Sequence, residues 1–198
     1  MKSIFFLLIF SFSLFAVDAS DFDIKGIKLG MSKKEVLKRM PCSNPKIETW
    51  FIDTVKGKKI CSTSIVCSND SDTFSASINR KNKLYSIARS IKFKVKPNYK
   101  KIKNKLLQRY GSTNYIKFKS HNNNMGICWG QCMLPEGAIY RTKDYNSQAL
   151  IAFANRYYDT LSLELQDDKV YDENNRWESK QREQYEKQQR EKASDIDF

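Results

Sequence analysis

The chain has 198 residues, with 35 Lys and Arg against 22 Asp and Glu, for a formal charge of +13. That length suits one compact domain or two small lobes sharing a core. A lone histidine, His121, in the polar run SHNNNMG, has no nucleophile-elbow motif beside it, so the sequence does not favour histidine-activated nucleophilic chemistry.

Residues 1–19 follow the pattern of a secretion signal: Lys2 supplies the basic start, Ile4 to Ala16 the apolar run, and Val17, Asp18 and Ala19 a cleavage point. A helix that spans a bilayer needs roughly 20 apolar residues, and here Asp18, Asp21 and Asp23 interrupt the run. We therefore expect it to be removed. Lys2 and Asp18 cancel, so the basic charge stays with the exported part. No cysteine lies at the cleavage point for lipid attachment.

The segment FDIKGIKLGMSKKEVLKRM opens residues 20–171, expected to form one α+β domain with halves of about 20–94 and 95–171. Ile24, Ile27 and Leu29 suit a short strand, Gly30 a turn, and Ser32 with Glu35 a capping box that starts a helix ending before Pro41. Val36, Leu37 and Met40 form its apolar stripe. A second helix is predicted after Pro97 and Asn98, with Tyr99, Ile102, Leu106, Leu107 and Tyr110 on one face and Gly111 behind its last turn. Its lysines fall off that stripe. The outer face is therefore basic.

Strand-like sequence follows each helix. The first half offers 47–52, 59–67, 73–79 and 84–93; the second offers 115–119, 127–129, 138–142, 149–154 and 160–166. In TLSLELQ, Leu161, Leu163 and Leu165 share a face opposite Ser162 and Glu164, as in a sheet covered on one side. Helix followed by antiparallel meander, twice over, predicts tandem units forming a one-sided sheet. Residues 172–198 change character and are expected as a charged C-terminal helix or disordered tail, supported by pairs such as Glu178 with Arg182 and Glu183 with Lys187.

Export places Cys42, Cys61, Cys67, Cys128 and Cys132 in an oxidising compartment, where disulfides are the expectation and an odd count leaves one thiol over. Cys42 can join Cys61 or Cys67, with a Cys61–Cys67 hairpin as the local competitor. CWGQC admits a redox dithiol, a metal site or a structural disulfide, of which the last is simplest. If Cys128 and Cys132 pair with each other, the segment must turn, because four extended steps span about 13 Å while a disulfide holds Cα atoms about 4.4 to 6.8 Å apart. Gly130 permits that.

Candidate binding residues are Trp50, Phe51, Tyr85 and Trp129, as aromatic anchors, with Lys101 and Lys105 beside them. Adjacent strand residues point to opposite faces, so one of Trp50 and Phe51 is expected on the outer face.

GIKLGMSKKEV near the start of the exported part, with LLQRYG later, resembles small exported bacterial proteins whose helix-plus-sheet repeats are like those of the β-lactamase inhibitor protein and of BamE-type outer-membrane assembly proteins. The resemblance spans about residues 22–168 in arrangement. It implies a periplasmic or secreted, non-enzymatic module that binds an envelope protein, as an inhibitor or assembly factor. No contact residue of those families aligns here. No cofactor, metal or nucleic-acid partner is expected. The competing readings are a thiol-disulfide or cell-wall enzyme, and a binder of anionic lipid or polysaccharide surfaces.

Overall fold

The computed structural model describes residues 21–52, 60–113, 115–119, 124–133, 140–141, 148–155 and 159–194, and of residues 50–52, 60, 61, 118, 119, 124, 133, 140, 141 and 155 the backbone alone. The signal-like segment, His121 and residues 156–158 lie outside them.

Near the start, Ile24 and Ile27 do not run on as a strand but bridge to each other. Lys25 and Gly26 between them both take positive φ, 56° and 78°, the geometry of a tight two-residue turn. Helix α1 (Lys33–Arg39) begins where expected: Glu35 N–H donates to the Ser32 hydroxyl, and the Glu35 carboxylate accepts from Ser32 N–H at 2.8 Å. Val36 is its buried residue.

Four strands follow as a meander: β1 (Lys46–Ile52), β2 (Ile60–Ser68), β3 (Asp72–Ile78) and β4 (Leu84–Lys92). The loop after Gly30 is stitched to this meander, with Gly30 N–H donating to Leu84 O and Leu84 N–H to Met31 O, both at 2.8 Å. Helix α2 (Tyr99–Tyr110) starts at Asn98, whose side chain accepts from Lys101 N–H, and ends at Gly111, where φ is 87°. The second half adds β5 (Tyr115–Lys119), β6 (Asn124–Gly130), the short pair β7 (Cys132–Met133) and β8 (Tyr140–Arg141), then β9 (Gln148–Asn155) and β10 (Thr160–Asp167).

The eight longer strands make one open antiparallel sheet in the order β1-β2-β3-β4-β10-β9-β6-β5. The last strands of the two halves, β4 and β10, pair at the centre, and β1 and β5 are the edges. The fold is α+β. One face carries the core: Ile65, Phe74, Ala76, Ile87, Ile127, Leu150, Leu163 and Leu165 pack with Phe22, Ile24, Val36, Leu106 and Tyr110 from the α1 and α2 side. Burying a side chain of this size stabilises by about 1.5 to 3 kcal/mol. Cys42 joins Cys67, tying the end of α1 to β2, and Cys128 joins Cys132. Cys61 is the cysteine outside both pairs.

The C-terminal segment is a 27-residue helix, α3 (Asp168–Ser194). It begins four residues earlier than the composition change at residue 172. The Asp167 carboxylate caps it by accepting from Val170 N–H at 2.9 Å. Lacking an apolar stripe, the sequence predicts no firm docking, yet the first turns lie against the sheet. The reason is a polar seam. Asn174 is buried and donates to Ser62 and Glu178, while Glu178 also accepts from the Ser62 hydroxyl. Glu178 is thus turned to the sheet rather than to Arg182. Farther out, the pairs formed are Glu186 with Arg190 and Lys187 with Glu191.

Candidate binding face

Strand register defines the face opposite the core. One unbroken row crosses all eight strands: Lys46, Val66, Ser75, Ala88, Glu164, Ile151, Cys128 and Tyr115 stand opposite one another in turn. The next row runs Ser68, Thr73, Ser90, Ser162, Phe153, Gly126 and Lys117. Directly opposed residues in antiparallel strands share a face, so these rows are one surface. Short side chains make it shallow. In its centre stand Ser75, Ala88, Ser90 and Ser162 around the single carboxylate of Glu164, with Phe153 39% exposed beside them.

Cover comes from both sides. At the end of the strands where β10 finishes, α3 crosses the first half of the sheet: Tyr171 packs on Tyr85 with ring centroids 6.1 Å apart, and Trp177 lies under the Arg80 guanidinium at 4.5 Å. Burial pushes the Tyr85 hydroxyl pKa up, eased by a hydrogen bond with Ser77. Over the second half, the Cys128–Cys132 disulfide turns the chain back on the sheet at Gly130, whose φ is 94°. Cys128, Cys132, Ala149 and Ile151, with Tyr115 against them, form a small apolar cluster there. Among the described residues, the serine-rich band with Phe153 is what these two covers leave.

A cleft of about 320 Å³ opens at the foot of α3, between the Asn79–Leu84 turn, Gly30 and the first helical turns. Arg80, Lys81 and Lys83 face Asp167 and Glu173 across it. Its lining carries charges of both signs. Asp167 is already committed to capping α3 and to Gln148, which donates to it at 2.7 Å.

The residues expected from sequence are dispersed. Trp129 is a correction: it is 2% exposed, its indole N–H donates to Gly111 O at 2.9 Å, and its ring packs on Tyr110, so it anchors the core rather than a partner. Strand alternation in β6 puts it beside Met125 and Ile127, which the periodicity of a seven-residue strand interrupted by glycines does not reveal. Tyr85 lies half-buried beneath α3, where its ring meets Tyr171. Lys101 and Lys105 are exposed on α2, on the core side, and share no surface with Tyr85. Trp50 pairs with Ser62 and Phe51 with Cys61 in the β1–β2 register, and their side chains lie outside the described residues.

Phe153 and the serine rows went unread in the sequence. The signal lies in IAFANRYY, where Phe153 alternates with Ala152 and Ala154, and in serines at alternate positions, Ser75 and Ser77 in β3, Ser86 and Ser90 in β4 and Ser162 in β10. No protein-family model, curated protein or solved structure matches the chain.

Proposed function

We propose that the protein is exported and works by binding, docking the band of Ser75, Ala88, Ser90, Ser162 and Phe153 on another protein of the cell envelope, as an inhibitor or an assembly factor does. The observation that carries this reading is the 39% exposure of Phe153 within a flat row of small hydroxyl side chains. A flat field of short residues lets a partner approach closely, and one exposed aromatic ring gives it an anchor to enclose. The two disulfides favour export, because such bonds persist mainly in oxidising compartments.

The test is site-specific photocrosslinking in intact host cells, with the photoreactive residue at position 90 or 162. One discrete protein adduct is expected, its yield lowered about tenfold by Phe153→Asp, as for loss of a central anchor. Equal adduct yield from a probe at position 105, on the far side of the sheet, would sink the assignment to this face.

A further inference from the structure

The connection from β4 to α2 carries chemistry that the sheet face does not use. Its sequence is KFKVKPNYKK, residues 92–101, and from Lys92 to Tyr110 there are eight basic residues and no acidic one. Phe93 packs inward against the core, and its N–H donates to Asp159 O at 2.8 Å, so the strand end is held. Beyond it the chain bends at Lys94 and Val95. Val95 at the tip is 77% exposed, the most exposed large apolar residue among the described ones. Lys94 and Lys96 flank it, and Lys92, Lys100, Lys101 and Lys105 are exposed behind it.

Among the described residues, these lysines have no ion pair, whereas Arg109 at the other end of α2 is joined to Asp23 at 2.9 Å. Among the described residues Asp159 brings a carboxylate to this corner; burial first, and then its charge, push the Tyr99 hydroxyl pKa up. Val95 stands in water among ammonium groups that have no ion pair within the described residues, and this combination matches a surface that is apolar beneath and anionic above. We propose that this corner seats on a bilayer of anionic lipids, with Val95 entering the boundary below the headgroups and Lys94, Lys96 and Lys101 meeting phosphates.

An apolar residue that inserts and lysines that neutralise headgroups act together, and neither suffices alone. Electrostatic attraction of this kind decays within a Debye length, so it needs the lysines at the contact itself. A soluble polyanion accounts for the lysines but gives Val95 no role. The membrane reading uses both.

The experiment is flotation of the purified protein with phosphatidylcholine vesicles and with vesicles containing about one third phosphatidylglycerol. Binding to the anionic vesicles alone is expected, falling by an order of magnitude or more between about 50 and about 300 mM salt. Combined Lys94→Gln, Lys96→Gln and Lys101→Gln should lower the partition coefficient by on the order of 50-fold, and Val95→Asp alone by about tenfold. These positions are exposed, and an unchanged unfolding midpoint confirms that each variant is folded. A charge-matched control, Lys180→Gln, Lys187→Gln and Lys192→Gln on α3, should change partitioning by less than about threefold. The proposal is overturned if the control falls as far as the corner variant, if neutral vesicles bind equally, or if Val95→Asp has no effect. That last result, together with retention on an acidic polysaccharide resin, would assign the corner to polymers instead. A partner crosslinked at position 90 would survive all of these results, so the two surfaces stand or fall separately.

Discussion

The two halves of the sheet build the same inner face and different outer ones. Inside, Ile65, Phe74 and Ile87 from the first half meet Ile127, Leu150 and Leu163 from the second in one apolar cluster. Outside, the first half is lined with serines and covered by α3 through hydrogen bonds, while the second is lined with Ala149 and Ile151 and covered by a disulfide-closed turn. Topology is repeated, but chemistry is not. The core demands the same apolar alternation wherever the meander runs, whereas the other face is free to serve its cover or a partner.

The largest effects should come from the shared core. Ile87→Ala and Ile127→Ala both remove fully buried side chains, and each should cost about 3 to 4 kcal/mol in urea unfolding. Because one cluster spans both halves, both variants should keep a single transition by every probe. Two separable transitions would show that the halves fold as independent lobes and that the comparison is between two domains.

Next come the disulfides. Cys42 and Cys67 are separated by 25 positions, so replacing both with Ser should cost about 3.5 kcal/mol by the chain-entropy estimate. For Cys128 and Cys132, separated by 4, the same estimate gives about 2 kcal/mol. The first bond anchors α1 on the core and the second only holds the cover of an outer face. Thermal unfolding of the two double variants measures the difference, and the reverse order would mean that the outer cover stabilises the protein more than the anchor of α1.

What the sequence made legible follows the same division. Alternation in TLSLELQ, the stripe of α2 and the Ser32–Glu35 box announce inner-face structure, because burial in water leaves no other arrangement of those residues. The outer face obeys no such rule. Trp129 is ambiguous in the sequence because a large aromatic side chain anchors an interface or a core equally well. Docking of α3 was hidden because it rests on Asn174, Ser62 and Glu178, residues 112 and 116 positions apart in their cross-chain bonds. No window along the chain contains that seam. Disulfide partners were similarly open, since spacing permits Cys61 as well as Cys67 to reach Cys42.

The seam itself can be broken. Asn174 is 4% exposed, and Asn174→Ala removes both donors while leaving Arg80 N–H facing the vacated space. A loss of about 1 to 2 kcal/mol is expected, as for an unsatisfied buried polar group. Amide exchange of residues 168–178 should accelerate, and Trp177 emission should shift toward that of a solvated indole. If exchange in that segment is unchanged, the Tyr85–Tyr171 contact holds α3 and the polar seam is incidental.

The smallest effect tests whether α1 belongs to the inner-face logic alone. Hydrogen bonds from Ser32, first its hydroxyl and then its backbone N–H, hold the Glu35 pKa below the usual carboxylate range. A depressed folded-state value means that the unfolded chain binds the proton more readily. The capping contribution is therefore present above the unfolded value of about 4.3 and is lost as the pH falls through the folded one. Glu35→Ala should lower stability at neutral pH by less than Asn174→Ala does, and the gap from the parent protein should close on acidification. Because the carboxylate is solvent-exposed, salt should narrow its charge-dependent part. A gap that stays constant from pH 7 to below pH 4 would show that Glu35 supports α1 through helix propensity rather than through the charged cap.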